Sequence, residues 1–385
     1  MKNTSKIFIF IALILLVITM PFGCAQPGES GGQQDEQDDE MIINFPGFNA
    51  FDCVQYGGWV YFDDTDDHYQ IKRIRVDAES MAEAEVLREN ASIELLVENY
   101  LLINDFSSER DSLVVFKLDD GQKQVAKIEN YYRAAQKKDQ FIYFLTMDNS
   151  QFVKLGRLNL ESLDVDYVSC DQNISDFVLT ESGVWYETSE APYTACNLYL
   201  CEYSSFENGG QLVCTIDQKE GADANRSWFG FSAISTSAYY YLTYENTADQ
   251  LFCVKADGSI SEVVTGLYKI IDLEVYNGML YVTGNVAESD DTETVAVISG
   301  ESEPVLISYA EAEKILSGGA PIVDFSANYS GTITLANGTV YQIPEDQTHP
   351  VCSYFIYDGA AWVMRYYETS FTIINLSDGS LSYLK

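Results

Sequence analysis

Apolar and polar positions alternate along most of this chain in short runs punctuated by turn residues. The stretch "LFCVKADGSISEVV" (251–264) reads as strand, two-residue turn, strand. Nearly the same sentence returns as "GTITLANGTVYQI" (331–343) and "FTIINLSDGSLSYL" (371–384). Asp-Gly or Asn-Gly between alternating apolar residues predicts a hairpin, because a tight type I′ turn needs positive φ at both central positions. Turns of this kind fall at Asp77-Ala78-Glu79-Ser80, Asp120-Gly121, Glu161-Ser162, Asn208-Gly209-Gly210, Asp257-Gly258, Gly300-Glu301, Asn337-Gly338 and Asp378-Gly379, 38 to 49 residues apart.

A second series keeps step with the first. An apolar strand precedes each turn: "GWVYF", "YLLIN", "FIYFL", "GVWYET", "YYYLT", "MLYVT", "IVDFS" and "AWVMR". A strand-only unit of about 40–45 residues is the mark of a β-propeller, in which four-stranded sheets packed around an axis cover one another's faces. The expected fold is therefore all-β: a propeller of about eight four-stranded blades over residues 41–385. Seven blades is the alternative, because the unit around Phe325 has a short first hairpin. "SYAEAEKILSGG" (308–319) predicts a short helix capped by Ser308, with Glu311 in its first turn. A second helix at "ESMAEAEVLREN" competes with a hairpin loop for the same residues. The last unit holds its own outer strand, "LSYL" (381–384), which leaves "MIINF" (41–45) to join an edge or cross the disc.

The first forty residues have another character. Lys2 and Lys6 precede an apolar run from Ile7 to Phe22, then Gly23-Cys24, the pattern of a secretory signal at 1–23. The run is short for a span of the ~30 Å hydrocarbon core. "PFGC" resembles the lipobox of bacterial lipoproteins, with Pro21 where that motif usually has Leu. The resemblance implies lipidation of Cys24 and anchorage to the outer face of a bacterial cell membrane; without lipidation the chain is secreted. Residues 24–40 have no apolar periodicity and end in a run of acids, so they are expected to form a flexible, solvated, lipid-anchored linker.

Charge narrows the partners. Lys and Arg total 22 against 59 Asp and Glu, a net charge of −37. Nucleic acid is an unsuitable ligand, since phosphate binding needs basic patches. Beyond Cys24 stand seven cysteines, an odd number: Cys53, Cys170, Cys196, Cys201, Cys214, Cys253 and Cys352. A Cys201–Cys214 cross-strand bridge and a set of reduced, buried thiols are both open readings.

Catalytic patterns are scarce. The two histidines, His68 in "DDTDDH" and His349 in "EDQTHP", have no G-x-S-x-G or comparable partner, and no glycine-rich phosphate loop occurs. With 59 acids, paired carboxylates of glycosidase type cannot be picked out by spacing. No cofactor is expected. Calcium is the one ion with a motive, at Asp63, Asp64, Asp66 and Asp67, because hard oxygen ligands suit it; a solvated acidic turn is the rival reading. Tyr131 and Tyr132 in "ENYYRA", with Trp228 and Phe229 in "NRSWFGF", are candidate ligand-stacking aromatics, or else packing between blades.

The units "GGWVYFDDTDDHYQIKRIRVDAES" and "QFIYFLTMDNSQFVKLGRLNLES" resemble a family of lipoprotein β-propellers of anaerobic Gram-positive bacteria. That family has no assigned function and is distantly similar to the YWTD propellers of low-density lipoprotein receptors. The shared pattern rests on Ile71, Arg73, Ile74 and Asp77, with an echo at Leu155, Arg157, Leu158 and Asn159, and later units lose the arginine. The resemblance covers residues 54 to about 300 and implies a fold and a surface location, with no catalytic residue to carry over. The expected role is a binding or scaffold module for a protein, peptide or glycan. The alternatives are a carbohydrate-active enzyme with paired carboxylates at the propeller channel, and an assembly factor for envelope proteins.

Overall fold

The computed structural model describes residues 53–64, 69–119, 121–147, 152–189, 195–217, 230–243, 248–288, 292–300, 302–327, 330–346, 348–365 and 370–385. The expected signal segment, Cys24, the expected linker and "MIINF" lie outside them. Eight antiparallel sheets follow one another along the chain, each a simple meander in sequence order. They are blade 1 (53–89), blade 2 (91–129), blade 3 (131–167), blade 4 (174–217), blade 5 (231–263), blade 6 (269–308), blade 7 (322–343) and blade 8 (351–384). The protein is a β-propeller of eight blades. Seven blades have four strands and blade 7 has three.

The alternation seen in the sequence works twice in each sheet. In blade 6, Leu280 and Val282 face blade 5, while Tyr281 points to the other side. Buried clusters therefore form between blades: 1 with 2, 2 with 3, 3 with 4, 4 with 5, 5 with 6, 7 with 8, and 8 with 1. The first strands of neighbouring blades touch one another and so line the axis. The fourth strands carry mostly exposed side chains and form the rim.

The ring closes without exchanging a strand. Blades 1 and 8 each hold four consecutive strands of their own. Phe62 meets Phe371 edge-on across this seam, ring centres 5.5 Å apart. The Met81 N–H and the Ser80 hydroxyl both donate to the Lys385 carbonyl, at 3.1 and 3.2 Å.

Blade 7 departs from the repeat. Its anchor "IVDFS" opens the sheet, in Ile322–Ala327, whereas in the other blades the corresponding strand is the second. Its last strand, Val340–Ile343, ends beside Arg365, whose guanidinium donates to the Pro344 carbonyl at 2.6 Å and the His349 carbonyl at 2.9 Å. Arg365 closes the second strand of blade 8, so Val340–Ile343 runs in the direction of a fourth strand. Blade 7 thus keeps its second, third and fourth strands and lacks the inner one. In its place the chain makes helix α1 (Tyr309–Leu316), capped by Ser308 and Glu311 as the sequence predicts.

The second expected helix reduces to one 3-10 turn, Met81–Glu83, again with a Ser80/Glu83 capping box; strand Glu85–Glu89 takes the rest. Pairing with blade 1's third strand outweighs local helix preference there. The Cys201–Cys214 bridge is ruled out by geometry. Cys201 packs toward blade 3 and Cys214 toward blade 5, on opposite faces of one sheet. All seven described cysteines are unbridged.

Candidate functional site

Two regions concentrate chemistry: the channel wall at blades 3 and 4, and a cleft between blades 2 and 3. The wall begins with Tyr131–Lys138, the inner strand of blade 3. Strand alternation sends its two adjacent tyrosines apart. Tyr131 is buried between blades 2 and 3, and its hydroxyl donates to the Glu94 carboxylate. Burial, then the Glu94 charge, holds that phenol far above its ordinary value. Tyr132 is 45% exposed, with the Arg133 guanidinium 5.3 Å from its ring centre. Three cations on this strand tie neighbouring blades. Lys137 pairs with Glu98 at 2.7 Å, Lys138 with Glu181 at 3.1 Å, and Arg133 donates to the Ser175 carbonyl.

Blade 4 supplies a carboxylate pair. Asp176 on the inner strand stands directly opposite Glu187 on the second, next to a bulge that leaves Ser175 unpaired. Such bulges re-aim side chains. The Ser175 hydroxyl donates to Glu187 at 2.8 Å. Both carboxyls titrate above the usual range. Burial is the main cause for each, and the Asp176 charge adds to the rise at Glu187. Sequence reasoning missed this pair. Its signal was Asp176 in "ISDFVL" and Glu187 in "VWYETS", two acids that only the bulged register brings opposite one another.

The cleft encloses about 980 Å³ and is lined by Lys127, Glu129, Lys154, Tyr167, Cys170 and Asp171 among others. It lies between the fourth strands of blades 2 and 3, where Asn130 turns the chain with φ 57° and its carbonyl accepts from Thr146 at 2.8 Å. Lys127 and Glu129 pair across its wall at 2.9 Å. Burial pushes the Cys170 thiol up, and a neutral thiol is a poor nucleophile. The cleft therefore offers mixed charge and an aromatic edge, which are recognition chemistry.

The remaining sequence candidates have structural partners. Asp63 accepts from the Ile93 N–H at 2.8 Å, and Asp64 pairs with Lys72. Asp66, Asp67, His68, Trp228 and Phe229 lie outside the described residues. Among the described residues no three His, Cys, Asp or Glu side chains converge on one ion-sized point. His349 Nδ1 meets Asp346 and the Thr348 hydroxyl, each at 2.8 Å, contacts made within a single turn of chain.

No family model matches the chain, and no curated protein does. Solved structures do. The β-propeller domain of the Trilobed protease from Pyrococcus furiosus aligns at TM-score 0.46 and 9% identity, over 77% of this chain and 97% of that one. A eukaryotic initiation factor aligns at 0.47 and 13%, over 89% and 88%. BamB from Moraxella catarrhalis aligns at 0.37 and 12%, over 65% and 69%. The chain spans about half the length of the acylaminoacyl and prolyl peptidases it also matches. At these identities the likeness assigns no residue and no activity to this chain.

Proposed function

We propose that this chain is a cell-envelope β-propeller lipoprotein, anchored through Cys24 to the outer face of a bacterial membrane, that serves as a binding or scaffold module for a peptide, protein or glycan. The cleft between blades 2 and 3 carries the reading. It is concave, walled by rigid strands, and presents Lys127, Lys154, Asp171 and the Tyr167 ring without an activated nucleophile. Glycan and cell-wall-peptide arrays probed with the full chain test it. Binding that weakens in Lys154→Ala and Tyr167→Ala supports the reading, and arrays without a hit overturn it. Anchorage has its own test: incorporation of labelled fatty acid, abolished in Cys24→Ala.

One observation favours an enzyme instead. Asp176 and Glu187 are opposed carboxyls titrating above their usual range beside the channel, as an acid–base pair would. Hydrolysis of a glycan by the full chain, lost in both Asp176→Asn and Glu187→Gln, would replace the binding reading with this one.

A further inference from the structure

The cleft between blades 2 and 3 is bordered by two unequal strands. Blade 2's fourth strand runs seven residues, Lys123–Glu129, whereas blade 3's runs three, Val165–Tyr167. The short strand leaves open the space that the long one borders, about 980 Å³. That volume lies at the upper end of what small-molecule sites enclose.

Tyr167 is the one aromatic among the described residues that line this cleft. It stands directly opposite Gly156 on blade 3's third strand. A Cβ at Gly156 would come within 2.7 Å of the Phe144 ring and 3.0 Å of Tyr167 Cε1. Glycine therefore lets both rings close over the strand, where they meet edge to face with centres 6.5 Å apart. Tyr167 is thus seated on backbone and braced by Phe144, yet it stays 42% exposed. A ring held in this way loses little rotamer freedom when a ligand is laid on it.

The polar lining is balanced in sign. Lys127 and Lys154 are matched by Glu129 and Asp171, and no other charged side chain lines the cleft among the described residues. Glu129 is held by Lys127 at 2.9 Å and by the Ser112 hydroxyl at 2.9 Å, so its acceptor oxygens are fixed in place. The net charge of −37 repels acidic ligands at long range and gathers cations over the whole surface. A wall without net charge selects neither. Its ammonium groups donate and its carboxylates accept, which together satisfy a hydroxyl on both sides. An extended peptide is recognised through a strand edge or apolar pockets, whereas the polar atoms here are side-chain groups gathered about one ring.

We infer that the cleft binds an uncharged saccharide, one pyranose ring lying on Tyr167 with its hydroxyls shared among Lys127, Glu129, Lys154 and Asp171. The inference rests on the cleft being the binding site proposed above, and it names the ligand class. The C–H groups on the flat side of a pyranose present positive edges to the negative face of the tyrosine ring. Gly156 is a positioning residue, since it sets where that ring lies.

Calorimetric titration of the full chain tests this with cellotetraose and chitotetraose as neutral probes, tetragalacturonate as an acidic one, and a Gly-Ser-Gly-Ser peptide. Saturable one-site binding of a neutral probe is expected, unchanged between about 0.05 and 0.5 M salt. Tyr167→Ala should weaken it about tenfold, and Tyr167→Phe, which keeps the ring, by no more than about twofold. Lys154→Met and Asp171→Asn should each weaken it about fivefold, the loss of one hydrogen bond. Gly156→Ala should weaken binding when Tyr167 is present and add nothing in Tyr167→Ala, a coupling that general loss of stability would not produce. Tyr132→Ala, which removes an exposed tyrosine from the channel wall, should change nothing. Loss of binding in Tyr132→Ala with Tyr167→Ala unaffected would overturn the inference by moving the sugar to the channel. Binding of tetragalacturonate or the peptide in the cleft without the neutral sugars overturns it as well, and leaves the cleft a binding site for another ligand. If no probe saturates the inference falls, and empty arrays would then remove the binding reading with it.

Discussion

Asp63, at the end of blade 1's second strand, accepts a hydrogen bond from the Ile93 N–H at the start of blade 2's inner strand, 2.8 Å away. Asp249 does the same for Ile270 between blades 5 and 6, at 2.8 Å. Both carboxylates are buried, and each satisfies a backbone donor that the bulged inner strand leaves outside its own ladder. Truncating either leaves a buried N–H unpaired. Asp63→Ala and Asp249→Ala should each destabilise the fold by about 1–3 kcal/mol, with Asp63→Asn costing less. Urea unfolding midpoints measure the difference, and a midpoint shift no larger than that of a surface substitution such as Glu161→Ala would refute the latch.

The repeat was legible because propeller strands are half-buried on both faces and their turns demand glycine. Asp257-Gly258 and Asp378-Gly379 sit between third and fourth strands, with the glycine φ at 83° and 74°. What the pattern concealed lies where a residue's role depends on another blade. "ENYYRA" marks two tyrosines, yet only the fold shows that Tyr131 is packed against blade 2 while Tyr132 meets water. Asp176 and Glu187 are eleven positions apart and meet only through a bulged register. The eight markers counted eight blades, but they did not reveal that the seventh lacks its inner strand, because the helix before it reads as an added element and not as a strand's replacement.

Gly284 shows how closely one bulge is fitted. It is buried opposite Ile270, at the point where the inner strand of blade 6 slips register. A Cβ placed there would overlap the Lys269 carbonyl oxygen, a backbone atom that cannot swing aside. Gly284→Ala should therefore cost about 3 kcal/mol. Gly278 lies in the adjacent hairpin turn with φ 72°, and a Cβ on it would have nothing within 4 Å. Its replacement by Ala should cost about 1 kcal/mol, from backbone strain alone. Thermal unfolding of the two variants orders them, and the reverse order would mean that space at the bulge is not what selects glycine.

The blade 4 carboxyls make a pH prediction with a definite sign. Both Asp176 and Glu187 have folded-state values raised by burial, so the folded protein holds their protons where the unfolded chain has released them. Their contribution is thus fully present below the unfolded values, near pH 4, and is lost as pH rises through the raised folded values. Asp105 opposes them over a lower range. Ser107 and Arg88 hold its carboxyl below the ordinary value despite burial, so its contribution is lost as pH falls. Wild type should lose stability on the alkaline side of about pH 4, and the Asp176→Asn/Glu187→Gln double variant should show a flatter profile with a higher unfolding temperature at neutral pH. Parallel curves for the two proteins between about pH 4 and 7 would show that the pair is not held protonated by the fold.

Tyr281 supplies the last prediction, and it tests whether a buried hydroxyl goes unsatisfied. The ring fills a fully buried place beside Val295 and Ala312, so Tyr281→Phe keeps the contacts and removes only the hydroxyl. Where a tyrosine hydroxyl has a partner, that exchange costs stability; where it has none, the exchange relieves an uncompensated desolvation. Tyr281→Phe should accordingly stabilise the fold by about 1 kcal/mol, some 2 °C in unfolding temperature for a domain of this size. Tyr143→Phe, with its phenol under the influence of Arg157, should move the other way. Destabilisation by Tyr281→Phe would mean that the hydroxyl is satisfied within the fold.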